Sequence, residues 1–197
     1  MIKSDEIRQN LLGCLETALF MRSGPSRFAD SRKSMMISFI VPIIVLPLTL
    51  ITVLTAHPDP SLSTSSMQIL VALYALRLFV YLTAFLALVY GMARSMDKME
   101  SFYKFATANN WLTLPAAALM APLIGMFLAG NHDWATIYPL MVFITLYSYA
   151  YTAFMATYVL RIPMELACFI AICGMAIHQS SLDLLKWAAV QTLNLIA

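Results

Sequence analysis

Five long apolar stretches, separated by short polar breaks, dictate what this chain can become. They cover about residues 35–56, 67–93, 111–130, 137–160 and 163–181. A bilayer's hydrocarbon core is about 30 Å thick, and a helix rising about 1.5 Å per residue needs about 20 apolar residues to cross it. Each stretch has that reach. Composition agrees, since 61% of the 197 residues are hydrophobic and 11% are charged. A soluble domain has roughly 45–50% and about 25%, and one of this size lacks the interior to hide so much apolar surface. A soluble globule and a disordered chain are both excluded. The pattern predicts an all-α polytopic membrane bundle of five transmembrane helices.

The flanks read differently. In residues 1–34, Ile7, Leu11, Leu15 and Leu19 recur at four-residue steps, while Lys3, Asp5, Glu6, Arg8 and Glu16 fall mostly elsewhere on the wheel. This predicts an amphipathic helix ending near Arg22, before Ser23-Gly24-Pro25. Such a helix either lies on the membrane surface or packs against a partner or its own bundle. The tail, residues 182–197, contains Asp183, Lys186, Gln191 and Asn194. It is too short and polar to cross comfortably and reads as a C-terminal interfacial helix. The first apolar stretch begins only near Met35, beyond the usual place of a cleaved signal's hydrophobic region. The first span is therefore expected to act as its own insertion signal.

Charge placement orients the bundle. The N-terminal segment carries Lys3, Arg8, Arg22, Arg27, Arg32 and Lys33; the second connection carries Arg94, Lys98 and Lys104; the turn at 161–162 carries Arg161. The two opposite loops, 57–66 and 131–136, carry no Lys or Arg. The positive-inside rule then predicts a cytoplasmic N-terminus and an outside C-terminus. Arg22, Arg27, Arg32 and Lys33 sit just before the first span, as an anionic-lipid contact would, and no nucleic-acid partner is expected. Trp111 and Trp134 flank the third span as interface anchors.

Inside the spans, one residue stands out. Arg77 lies about ten residues into the second span, where a charge costs about 2.5–3.5 kcal/mol on insertion scales and needs a partner or water. With Tyr74, Tyr81 and His178 it defines a candidate polar pocket in the outer leaflet, suited to an anionic group. The alternative is that Arg77 reaches carbonyls, tyrosine hydroxyls or Asp183 and only fixes the fold. Ala117, Ala121, Gly125 and Ala129 form a small-residue stripe at four-residue spacing, which lets another helix approach closely. That helix belongs either to the bundle or to a second copy. Pro42 and Pro47 mark a kinked or curved first span. No HExxH, GxSxG or P-loop motif occurs. Cys14, Cys168 and Cys173 make no CxxC pair and read as small core residues. His57, His132 and His178 lack metal-ligand spacing. No catalytic residue, metal or cofactor is expected.

The second connection is a short basic loop, Asp97-Lys98-Met99-Glu100-Ser101-Phe102-Tyr103-Lys104-Phe105, followed by Ala106-Thr107-Ala108-Asn109-Asn110-Trp111-Leu112-Thr113-Leu114-Pro115. This stretch and the order of spans resemble the five-span Yip1-like membrane proteins. The resemblance implies a five-span fold and brings no catalytic residues with it. The expected function is that of a non-enzymatic organiser or accessory subunit, acting through helix packing and a basic cytoplasmic face on anionic lipids, other membrane proteins or itself. The alternative is a transporter or channel component using the Arg77 pocket. The brief loops suit a bacterial inner membrane.

Overall fold

A computed structural model describes residues 4–56 and 64–196. The 57–66 loop, with His57 and Asp59, therefore lies largely outside the described residues. Helices α1 (Ser4–Ala18), α2 (Arg32–Ser38), α3 (Ile40–Ala56), α4 (Thr64–Ser95), α5 (Met99–Trp111), α6 (Thr113–Leu128), α7 (Trp134–Leu160) and α8 (Met164–Ile196) follow in order, with a 3-10 turn at Gly24–Arg27. No strand occurs among the described residues. Five helical segments are long and apolar enough to cross a membrane: Arg32–Ile51, Val71–Ser95, Met99–Leu128, Trp134–Leu160 and Met164–Leu185. The chain is an all-α, multi-pass membrane protein.

Local chemistry sets the helix ends. The Ser31 side chain accepts from the Ser34 N–H at 3.0 Å to start α2. Asp133 does the same for the Thr136 N–H at 3.0 Å to start α7. Each satisfies one of the donors that a helix leaves open at its N-terminus. Arg161, at φ +51°, stops α7 in a left-handed turn, and Pro163 precedes the start of α8. Gly130, at φ +72°, ends α6 where a side chain would strain the backbone.

The spans close into a ring. Helix α3 packs on α4 and α6, α4 on α8, α8 on α7, and α7 on α6. At the end bearing Arg94, Lys98 and Arg161, called here the basic end, α5 fills the ring. It packs on α2, α4 and α7, and Phe105, Ala106, Ala108 and Asn110 have no exposed surface. Phe85 and Val89 of α4, Met155 and Ala156 of α7 and Ala167 and Ile170 of α8 complete this core. Tyr151 donates its hydroxyl to the Leu112 carbonyl at 3.0 Å, and Lys98 donates to the Arg161 carbonyl at 2.8 Å.

Several expectations are corrected here. The 94–110 connection is not a loop. Met96–Lys98 is the only break, and the third span begins at Met99 rather than near 111, because Phe102, Phe105 and Asn109 share a helical face that the core requires. Trp111 is consequently buried in that core rather than anchored at an interface. The tail is no separate helix, since α8 runs unbroken to Ile196 with no Gly or Pro after Gly174 to stop it. Of the cysteines only Cys14 is a core residue; Cys168 is exposed and Cys173 half-buried. Burial pushes the Cys14 thiol up to about 12, which keeps it protonated and unreactive.

Helix α1 forms as expected but presents the opposite face. Leu15 and Leu19 are each 58% exposed, and Ile7 and Leu11 also face outward. The buried face is Asn10, Gly13, Cys14, Thr17 and Ala18. Close backbone approach explains this choice. A Cβ on Gly24 would lie 2.5 Å from both the backbone N and the Oγ1 of Thr17, and a Cβ on Gly13 would lie 3.2 Å from the Gly24 carbonyl. The end of α1 is tied to α7, where Tyr147 donates its hydroxyl to the Ala18 carbonyl and Phe20 packs edge-on against Tyr147 and Phe154.

Gly24→Ala is expected to destabilise the protein by about 1–3 kcal/mol, as overpacking does, because the clash is with backbone. Gly91→Ala, where nothing lies within 4 Å of the new Cβ, is expected to be neutral or slightly stabilising. Thermal melts of the purified protein in detergent compare the two; equal melting temperatures would contradict the close approach.

Candidate functional site

Arg77 sits 13 residues after Thr64 and 18 before Ser95 in α4, about 20 Å and about 27 Å from the two helix ends. It lies within the apolar segment Val71–Ser95, nearer its Val71 end. Half-buried, it reaches across to α8, where its Nε and Nη2 donate to the His178 carbonyl at 3.2 and 2.8 Å. Nη2 also lies 3.3 Å from His178 Nδ1. Nη2–H donates there when the imidazole is neutral with its proton on Nε2. The guanidinium carbon stands 5.7 Å from the centre of the Tyr74 ring, within cation–π range. The Tyr81 ring meets His178 edge-on at 5.1 Å and stacks on Phe85 at 5.8 Å. The Ser181 hydroxyl also donates to the His178 carbonyl, at 2.8 Å. Among the described residues no carboxylate lies within 4.0 Å of the guanidinium. Backbone carbonyl and aromatic faces hold the cation, and no anion neutralises it at contact distance.

Arg77, Tyr74, Tyr81 and His178 all line one cavity of about 360 Å³, within the roughly 300–1,000 Å³ typical of ligand sites. The structure thus brings the four residues of the expected pocket together. Their setting is the half of the ring that α5 does not fill. Asn109 and Thr113 stand where α5 gives way to α6, and Pro42 of α3 and Tyr149 of α7 close other walls. Thr145, Ser148 and Thr152 turn a row of hydroxyls to the cavity, but each donates its proton within α7, to Met141, Thr145 and Ser148 carbonyls at 2.8, 2.6 and 2.8 Å. They offer lone pairs, while the donors cluster around Arg77.

Sequence reasoning missed Tyr149 and Asn109. The signal was the spacing Thr145, Ser148/Tyr149, Thr152, one polar face of an apolar span, which reads as packing unless the opposing helix stands back. Of the two partners expected for the stripe, the bundle is not the one it faces. Ala121, Gly125 and Ala129 are exposed, and nothing lies within 4 Å of a Cβ built on Gly125. Only Ala117 turns toward the cavity. The stripe is therefore not a seam within the bundle, because α3 and α7 take the other flanks of α6, burying Ile124 between them.

Of the four basic residues, Arg22, Arg32 and Lys33 are exposed. Arg27 is instead held inside the N-terminal hairpin. Its Nε and Nη2 donate to the two Glu16 oxygens at 2.7 and 2.6 Å, and Nη1 donates to Gln9 Oε1 at 3.1 Å. This bidentate pair takes Arg27 out of the expected lipid contact. Among the described residues no cluster of three or more His, Cys, Asp or Glu is placed to hold a metal. No family model, curated protein or solved structure matches the chain.

The Arg27 guanidinium, helped by the Ser23 hydroxyl, holds the Glu16 carboxyl below its ordinary value of 4.5, and the same contact raises Arg27. A depressed carboxylate stabilises the fold fully above its unfolded value and loses that contribution as pH falls through the folded one. The wild type is therefore expected to lose melting temperature on acidification below about pH 4.5 more steeply than Glu16→Gln, with the two curves parallel near neutrality. Parallel curves throughout would show that the pair contributes nothing.

Proposed function

We propose that the chain is a transporter or channel component that binds an anionic solute beside Arg77. One observation carries this reading: a cavity of ligand size reaches a guanidinium that has no carboxylate at contact distance among the described residues. A cation at that depth is costly to insert. An anion entering the cavity would complete a charge pair in a low-dielectric site, where such pairs are strong. Binding inside the membrane between packed helices is how transporters hold their substrates. Neither a metal nor a cofactor is needed for this role.

We further place the basic end in the cytoplasm. The uneven distribution of Lys and Arg supports this, and it sets the N-terminus inside and the C-terminus outside. Arg22, Arg32 and Lys33 then face anionic lipid headgroups. The brief connections support a bacterial inner membrane. The Yip1-like resemblance of residues 97–115 supports the five-span arrangement and assigns no chemistry to it. A second reading, a non-enzymatic organiser or accessory subunit, is favoured by the exposed face of Ala121, Gly125 and Ala129, which would admit a close-packed partner helix.

Charge movement on solid-supported proteoliposomes tests both. Chloride, phosphate, benzenesulfonate and octanesulfonate form the panel; the sulfonates stay ionised and do not leak as neutral acids. At least one is expected to give a signal that Arg77→Gln lowers more than tenfold and Arg77→Lys partly retains. Gly125→Leu is expected to leave that signal unchanged. No signal from any anion, together with a Gly125-dependent oligomer in crosslinking, would replace the transport reading with the second one.

A further inference from the structure

The cavity's shape and lining narrow its ligand further than its charge does, provided that it binds an anion as proposed. Along span 3 the wall is built from residues running from Asn109 to Ile124, a rise of about 22 Å. On α4 it runs from Tyr74 to Phe85, about 16 Å. The cavity is therefore a slot parallel to the helices. A slot of that length suits an extended ligand better than a compact one.

The lining gathers its charge around Arg77 and is mostly apolar elsewhere. Arg77, Tyr74, Tyr149 and His178 form a polar patch on α4, α7 and α8. The Arg77 Nε and Nη2 are engaged with His178, and Nη1 makes no hydrogen bond among the described residues. Asn109, Thr113, Ser148 and Thr152 bring polar side chains to the rest of the slot, which is otherwise lined by Leu46 of α3, Leu78 and Leu82 of α4, and Met120 and Ile124 of α6. The apolar side chains offer no hydrogen bonds, so an ion that keeps its hydration shell gains nothing from them, whereas a hydrocarbon tail does.

We infer that the cavity binds a single-tailed amphiphilic anion, its charged head on the Arg77 guanidinium and its hydrocarbon chain laid along the slot. A carboxylate or a sulfonate head presents the paired oxygens that a guanidinium edge engages. The chemistry is shared by a free amphiphile and by one chain of a bilayer lipid with an acidic head.

Equilibrium binding to the full chain in phosphatidylcholine nanodiscs tests this, using radiolabelled octanesulfonate, octanol and methanesulfonate. Octanesulfonate is expected to bind at least tenfold more tightly than either the uncharged alcohol or the tail-less anion. Arg77→Gln is expected to weaken it more than tenfold and Arg77→Lys less than threefold. Should Arg77→Gln fail to fold, Ala116→Trp fills the slot while leaving Arg77 in place. A variant that melts like the wild type yet loses octanesulfonate supports the assignment, and one that binds normally overturns it. Displacement by phosphatidylglycerol added to the discs makes a bilayer lipid the source of the ligand; its absence makes it a free amphiphile. Methanesulfonate binding as tightly as octanesulfonate, with loss in Arg77→Gln, overturns the amphiphile assignment and leaves the anion-binding reading standing. No Arg77-dependent binding of either sulfonate overturns both.

Discussion

Lipid tails solvate a leucine as well as another leucine does, so helices in a bilayer gain little by burying apolar surface against each other. Close packing and polar contacts must hold them instead. In this chain both converge on α5. Its Ala106 and Ala108 are small and fully buried, and Phe105 fills the space between α4 and α7. The Asn110 amide donates to Ser38 Oγ at 2.9 Å, tying α5 to α2. Asn110 Oδ1 is buried and finds no partner among the described residues, a deficit that costs about 1–3 kcal/mol. The helix keeps that residue because its amide links two elements that apolar contact alone would not fix. With α5 lodged at the basic end, five spans have a rigid hub on one side and none on the other.

The cavity follows from that asymmetry. Beyond Leu112 nothing continues the plug: span 3 passes from α5 to α6 and takes its place in the wall, packing on α3 and α7. The space it leaves is bordered by α4 and α8, whose polar contact is Arg77 with the His178 carbonyl. A carboxylate partner would have neutralised the guanidinium and closed the site chemically. A backbone carbonyl fixes its position, and the Asp183 carboxylate acts on the charge only from beyond contact distance. One residue thus orders the α4–α8 contact and sets the sign of what the cavity attracts.

How much of this was legible depended on which solvent each residue faces. The spans were readable because length and hydropathy against a 30 Å core leave few choices. Arg77 was readable because a charge inside an apolar span needs a partner wherever it falls, and the spans offer few polar groups. The stripe on α6 was not, since spacing shows that small residues share a face but not whether that face meets protein or lipid. Residues 94–110 read as a loop because Arg94, Lys98, Glu100, Lys104, Asn109 and Asn110 make the segment polar. In an interior packed by shape rather than by hydrophobicity, polar and small residues are as good at filling space as leucines, and the usual equation of polar with exposed fails.

Helix α1 shows the same inversion most clearly. An amphipathic helix on a soluble protein turns leucines inward, because water is the alternative. Here Leu11, Leu15 and Leu19 point outward, and Gly13, Cys14 and Thr17 face the bundle. Phe20 and Ala18 meet Tyr147 and Phe154 on the side of α7, so the end of α1 stands against a membrane span. Beside a bilayer, lipid tails accept the leucine face at no cost. Asn10 Oδ1 and Thr17 Oγ1 are buried without a partner among the described residues, so close packing and not polar satisfaction orients the helix. Its interior contacts can then rest on the backbone approach of Gly24 to Thr17, which only small residues allow, and the Glu16–Arg27 pair holds the hairpin shut.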